Sequence, residues 1–294
     1  MKKKIYFLII LLIPFLLTGC TNDDMEDIDI LVSNYPIEYI TKKLYNNHST
    51  ITQVYPDGVD TKSYEIKNIN KLAKYDLFIY NGLIEKERNL AFELLSINPD
   101  LKIIDSAYTL ESDYSPEELW LNPSYYLMMA GNIRLGLEEF ITSSYLKKEI
   151  DAKYEKLKIN LSELDASYRV TVENTNNRKL VIATSSLKYL EKYNIEIKCI
   201  DNDATDKTIE EVENLINLDE INYIITFNDE EDNEFVKKLI EKFPNIKKIE
   251  LHRLDNITDD DRKNDRTYIS IMNDNLELLK KELYWTEPQK LDSL

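Results

Sequence analysis

Apolar positions along this chain follow two rhythms in turn: short continuous runs, and stripes at helical spacing. The run Ile28–Ser33 predicts a strand, and Pro36–Asn46 carries Ile37, Ile40 and Leu44 on one helical face. Thr50–Tyr55 predicts a second strand, stopped by the Pro56-Asp57-Gly58 turn. A short helix over Ile66–Lys74 follows, then a strand over Leu77–Tyr80 closed by Asn81-Gly82. A helix over Glu85–Leu95 and a strand over Lys102–Asp105 complete this half. Short apolar strands alternating with helices predict a parallel sheet covered by helices.

The centre of the chain reads as helix. Pro123–Thr142 has the stripe Leu127, Ala130, Ile133, Leu137 and Phe140. Tyr145–Thr171 continues it with Ile150, Tyr154, Leu157, Leu161, Leu164 and Tyr168, uninterrupted by Pro or Gly. At 1.5 Å per residue that helix is about 40 Å long, a length that suits a strut between two lobes. Tyr125, Tyr126, Tyr145 and Tyr154 share its helical spacing and read as packing residues. Beyond it the strand–helix alternation resumes. Lys179–Ala183, Ile195–Ile200, Tyr223–Phe227 and Lys247–Leu251 predict strands. Leu187–Tyr193, Lys207–Leu218 and Glu230–Phe243 predict the helices between them, and Ile269–Leu283 an amphipathic closing helix. The prediction is an α/β fold: two Rossmann-like lobes with parallel sheets, 28–143 and 178–285, joined by a long backbone helix over 144–174. Such lobes leave a cleft at the C-terminal strand ends, where open α/β sheets take ligands.

The N-terminus has a different pattern. Lys2, Lys3 and Lys4 precede an apolar stretch from Ile5 to Leu17, short for a membrane span and of signal-peptide length. It ends in Leu17-Thr18-Gly19-Cys20, a lipobox. Residues 1–20 are therefore read as a lipoprotein signal, Cys20 as the lipidated residue and Thr21–Asp27 as a polar tether. Two acyl chains suffice for stable anchoring, which predicts a lipid-anchored protein on the extracytoplasmic face of the cell membrane. The only other cysteine, Cys199, sits in an apolar pattern and reads as a core residue, so no internal disulfide is expected.

Composition then excludes several functions. The formal charge is −17, and −20 without Lys2, Lys3 and Lys4, which disfavours nucleic acid as a partner. The chain has five glycines and no Gly-rich phosphate loop, H-E-x-x-H or Gly-x-Ser-x-Gly, so neither nucleotide binding nor catalysis is expected.

Four segments carry a family resemblance. Val54-Tyr55-Pro56-Asp57-Gly58-Val59-Asp60 with Tyr64-Glu65, Asp76-Leu77-Phe78-Ile79-Tyr80-Asn81-Gly82-Leu83, Trp120-Leu121-Asn122-Pro123, and Tyr268-Ile269-Ser270-Ile271-Met272-Asn273-Asp274-Asn275-Leu276 occur in that order between residues 28 and 283. Together they resemble the substrate-binding lipoproteins that capture zinc or manganese for ABC importers. The resemblance implies a divalent metal substrate, an ABC permease partner and a monomeric receptor.

The family's metal ligands do not carry over. Its His, Glu or Asp ligands align with Lys62, Glu118, Thr184 (or Ser185 if the register slips by one) and a position near Asp255. His48 and His252, the only histidines, lie elsewhere. His48 reads as a solvated turn residue; His252 lies three residues before Asp255, within reach of the cleft. A protonated lysine has no lone pair for a cation. One reading has the Lys62 ammonium replacing the metal, paired with Glu118, Asp255 or both, and holding the lobes near a closed form. The opposing reading keeps an oxygen-rich shell of Glu118, Asp255, Glu65 and Asn228 or Asp229 for a harder cation, with Lys62 swung out. A second function, of another class, is a non-transporting, adhesin-like cell-surface lipoprotein that has lost the metal.

Overall fold

The computed structural model describes residues 23–175 and 177–285. The lipoprotein signal and Cys20 lie outside the described residues. Strands β1 (Ile28–Val32), β2 (Ser49–Gln53), β3 (Leu77–Tyr80) and β4 (Lys102–Asp105) form a parallel sheet in the order β2-β1-β3-β4. Strands β5 (Lys179–Ile182), β6 (Glu196–Cys199), β7 (Tyr223–Phe227) and β8 (Lys247–Leu251) repeat that order as β6-β5-β7-β8. Ile30 pairs with Leu77 and Val32 with Ile79, so the register of the first sheet aligns its apolar positions.

The strands' period of two sorts residues into layers. In the first sheet Ile30, Val32, Leu77, Ile79 and Ile104 enter the large central core. Leu31, Phe78 and Tyr80 face the other way, onto Leu90, Ala91 and Leu94. The second sheet does the same. Ile182, Ile225, Phe227 and Leu251 point into the central core, while Val181 and Ile224 meet Val212, Ile216, Val236 and Leu239.

Helices α1 (Tyr35–Tyr45), α2 (Ile69–Leu72), α3 (Glu85–Ile97), α4 (Glu118–Leu121), α5 (Pro123–Phe140) and α6 (Ser144–Glu173) belong to the first half and the centre. Helices α7 (Asp206–Asn217), α8 (Glu234–Lys242), α9 (Asp259–Lys263) and α10 (Tyr268–Leu283) belong to the second. Ser185–Tyr193, expected as an α-helix from Leu187, is a 3-10 helix. The two short helices α4 and α9 are not visible as apolar periodicity, being only one turn each.

Helix α6 has 30 residues and so runs about 45 Å. The Ser143 hydroxyl caps it by accepting from the Leu146 amide at 3.4 Å. Its stripe Leu146, Ile150, Leu157, Leu161, Leu164, Tyr168 and Val172 is buried in the core that both sheets share. The Tyr168 hydroxyl donates to the Met272 carbonyl of α10 at 3.0 Å, tying its far end to the second half. Tyr268 of α10 stacks on Tyr126 of α5 with ring centroids 4.0 Å apart and donates to the Trp120 carbonyl at 2.5 Å. Tyr145, expected to pack, is 71% exposed, because it sits on the outer face of the first turn of α6.

Several sequence expectations need correction. The described part of the expected tether, residues 23–27, is packed. Met25 is fully buried, and the Asp23 carboxylate accepts from Met25, Thr142 and Ser143 amides and the Thr142 hydroxyl. Burial pushes the Asp23 carboxyl up, but these donors, Ser143 foremost, hold it below the ordinary range. His48 is not a free solvated turn: its Nε2 lies 3.1 Å from Glu149 of α6. Cys199 is half-buried at the core edge, 3.3 Å from Asp201, and burial raises its thiol to about 11.

Gly82 has a packing reason. A Cβ there would lie 2.1 Å from the Asp105 carboxylate, which accepts from the Gly82 amide at 2.8 Å.

Two buried carboxyls generate a pH prediction. Glu282 is fully buried, accepting from the Asn222 amide at 3.2 Å and the Asn177 side chain at 3.0 Å. Glu87 accepts from Asn34 at 2.9 Å and the Asn81 amide at 2.8 Å. Burial raises both to about 7. A raised folded pKa means the stability from these groups is complete below the unfolded value and is lost as pH rises through about 7. The melting temperature should fall between about pH 5 and about pH 7.5, and Glu282→Gln should flatten that fall. A wild-type midpoint that rises across this window contradicts the assignment.

Candidate functional site

In each sheet the chain leaves the first strand in opposite directions, placing switch points between β1 and β3 and between β5 and β7. Loops leaving the C-terminal strand ends meet there, as ligand sites in open α/β sheets do. Four of them matter: 54–64 after β2, 81–84 after β3, 228–233 after β7 and 252–258 after β8.

Arg253 lies at the centre of this meeting point. Its side chain is 2% exposed. Nη2 donates to Asp229 at 2.6 Å and lies 3.7 Å from Asp60. Nη1 donates to Glu230 at 3.0 Å, and Nε lies 3.3 Å from Asp255. The fork shape of a guanidinium lets one cation meet carboxylates on several sides, which a lysine cannot do. Burial opposes the charge, but Asp255, Asp229 and Glu230 outweigh it and hold Arg253 above the ordinary arginine pKa. Burial raises the Asp229 carboxyl, with Arg253 pulling the other way and Asp255 and Glu230 adding to the rise. Asp60 is held below the usual carboxylate range, chiefly by hydrogen bonding with Ser63.

Lys62 is the second cation. Its Nζ donates to Glu230 at 2.9 Å and lies 3.5 Å from Glu117. Burial disfavours its charge and Arg253 repels it, yet the bond to Glu230 leaves its pKa raised. Glu230 Oε1 therefore bridges Lys62 and Arg253. Beside it Lys86 donates to the carbonyls of Thr61 at 2.9 Å and Tyr64 at 2.5 Å, fixing the loop that carries Lys62. Two cavities flank the pair. One of about 830 Å³ lies under Tyr55, Tyr64, Glu117 and Trp120. The other, of about 440 Å³, is lined by Asp60, Thr184, Asp229, Glu230 and Arg253.

The residues aligned with metal ligands are only partly brought together. Lys62 and Asp255 both reach the cluster, but they do not pair with each other. Asp255 accepts from the Thr61 hydroxyl at 2.5 Å. Lys62 does not meet Glu118 either. Glu118 is 2% exposed and accepts from the Ser112 hydroxyl at 3.1 Å, while Glu117 takes the place expected of it. The reason is α4: successive helical side chains are turned by about 100°, so two neighbouring glutamates serve different surroundings. Thr184 lines the smaller cavity with its hydroxyl 3.3 Å from that of Ser186. Glu65 is exposed at the wall of the larger one. Asp229 joins the cluster through Arg253. His252 turns Nδ1 to accept from the Leu254 amide at 2.9 Å and Nε2 toward Asp261 at 4.0 Å. Burial lowers its pKa, against the pull of Asp261, Asp229 and Asp255. Among the described residues, no group of three His, Cys, Asp or Glu side chains is arranged to hold a metal ion.

Sequence reasoning missed Arg253, Glu230, Glu117 and Asp60. A search for histidines passes over them. The available signal was position: Arg253 and Asp229 each lie two residues past a predicted strand end.

The loop after β8 straps the halves together. The Asn256 side chain donates to the Pro56 carbonyl at 2.7 Å and the Val59 carbonyl at 3.0 Å, and the Gly58 amide donates to the Ile257 carbonyl at 2.8 Å. Gly58 has φ +74°, a conformation that glycine adopts without cost. Arg262 donates to Asp57 and, at 2.8 Å, to Glu38. Trp120 Nε1 donates to the Arg253 carbonyl at 2.9 Å.

Comparison with known proteins bears on this arrangement. The family described as ZnuA, zinc-uptake complex component A periplasmic, matches residues 30–282. The zinc-binding lipoprotein AdcA of Streptococcus pneumoniae is 22% identical over 310 residues, covering 95% of this chain. This chain spans 61% of the length of that relative. The manganese ABC transporter substrate-binding lipoprotein scaA of Streptococcus gordonii is 27% identical over 225 residues, covering 66% of this chain and 70% of that protein. The crystal structure of the Zn(II)-bound ZnuA-like domain of AdcA superposes with a TM-score of 0.71 at 20% identity, covering 88% of this chain and 100% of that one. At that identity the likeness concerns the fold.

The strap generates a stability prediction. Arg262→Ala should leave Glu38, whose side chain is 5% exposed, and Asp57 short of a partner. Urea denaturation should show a loss of about 2 kcal/mol, with faster amide exchange across 56–64.

Proposed function

The chain belongs to the zinc-uptake component A family, and from that premise we propose that it is the substrate-binding component of an ABC importer for a divalent metal ion. It works outside the cytoplasmic membrane, tethered through a lipid on Cys20, and hands its substrate to an ABC permease. Among the described residues no helix is long and apolar enough to cross a membrane. The observation that carries the reading is the acidic cleft. Asp60 comes from the first sheet's loops, and Asp229, Glu230 and Asp255 from the second's, converging from opposite sides on one point.

These donors are all oxygen. Imidazole and thiolate suit zinc, whereas carboxylates suit Mn²⁺ and harder ions. The proposed substrate is therefore Mn²⁺ in preference to Zn²⁺. The metal requires rearrangement, because both Arg253 and Lys62 stand among the carboxylates and a protonated side chain donates no lone pair. Repulsion between a divalent ion and a neighbouring cation is several kcal/mol at about 4 Å in an effective dielectric near 20. The adhesin-like reading has no separate observation in its favour here.

Calorimetric titration of the full-length lipoprotein in detergent with MnCl₂ and ZnCl₂ tests the reading. Saturable binding of about one Mn²⁺ per chain is expected, weakened by about tenfold or more in Asp255→Asn, since each ligand lost removes a charge-assisted contact. Absence of saturable heat with either ion up to about millimolar concentration, an affinity near −4 kcal/mol, would sink it.

A further inference from the structure

Arg253 is a cation that the protein supplies to its own cleft. Its guanidinium is almost wholly buried, and the four carboxylates around it come from loops of both halves. Its Nε has no hydrogen-bond partner of good geometry although Asp255 is 3.3 Å away. The carboxylates are thus arranged around a charge more than around an ideal set of Arg hydrogen bonds. Without a cation there, Asp60, Asp229, Glu230 and Asp255 would repel one another across the cleft and drive the halves apart. Lys62 extends the same effect, joining Glu117 of the first half to Glu230 of the second.

We propose that Arg253, assisted by Lys62, is an internal counter-ion that keeps the cleft closed when no metal is present, and that metal uptake is an exchange in which the incoming ion displaces the guanidinium. This rests on the metal-receptor reading above and adds its regulation. The charge balance is simple: one divalent ion enters the carboxylate cluster as the two monovalent side chains leave it, and no covalent bond changes. Space for the displacement exists. Arg253 lines the 440 Å³ cavity, and the Lys62 side chain is 56% exposed with solvent on one side. A receptor that must first release its own cation binds more weakly than its carboxylates would alone, by the fraction of time the site is free.

The test uses the full-length lipoprotein in detergent, with MnCl₂ as the probe. Amide exchange across residues 56–64 and 252–258 is measured in chelator and in Mn²⁺, together with Mn²⁺ affinity. In the wild type these loops are expected to be equally protected in both conditions. Arg253→Gln should expose them in chelator, restore protection with Mn²⁺, and raise Mn²⁺ affinity by about tenfold or more. Lys62→Gln, at a half-exposed position and so safer for folding, should move affinity in the same direction by a smaller factor. The proposal is overturned if wild-type loops are protected only with Mn²⁺, or if both substitutions leave affinity unchanged or lower it. Absence of Mn²⁺ binding by every form defeats the receptor reading, while wild-type protection in chelator still decides whether the cleft closes without metal.

Discussion

The convergence of the cleft loops centres on one buried guanidinium. Arg253 stands where loops from both sheets converge, and its charge is what allows Asp60, Asp229, Glu230 and Asp255 to occupy the same small volume. A buried charge is tolerated only when it is paired, and the pairing here is drawn from both sides of the cleft. The same ion pairs therefore join loops of both halves. Glu230 shows this most directly, since a single oxygen meets both Arg253 and Lys62.

The cleft loops rise from a frame in which both sheets share one core. The buried stripe of α6 runs through the core shared by both sheets, and α10 is fastened to the first half through Tyr268 stacked on Tyr126. Interlobe packing of this kind is apolar and close. The strap after β8 adds Asn256 and Arg262 to those loops.

Much of the fold was legible in the chain. Leu77–Tyr80, Lys102–Asp105, Tyr223–Phe227 and Lys247–Leu251 are strands over the expected residues: the first and third are largely apolar runs, and the other two are short segments built on Ile103-Ile104 and on Ile249 with Leu251. The long helix was legible because its stripe is unbroken and no Pro or Gly interrupts it. The one-turn helices α4 and α9 left no such trace, and α4 is the one that mattered. It turned Glu118 toward Ser112 and left Glu117 for Lys62. Residues 23–27 look like a tether by polarity, yet Asp23 finds buried amide donors that only the folded chain offers.

The sequence by itself determined the two α/β halves and the long helix. These follow from local periodicity and residue chemistry, which act over a few neighbouring positions. Only the tertiary structure decided that Arg253 is the central cation, with Asp60 and Glu230 as its partners. Those residues are separated by up to 193 positions (Asp60 to Arg253). Electrostatic pairing at such separation depends on where the backbone delivers each charge, and on water being excluded once it arrives there.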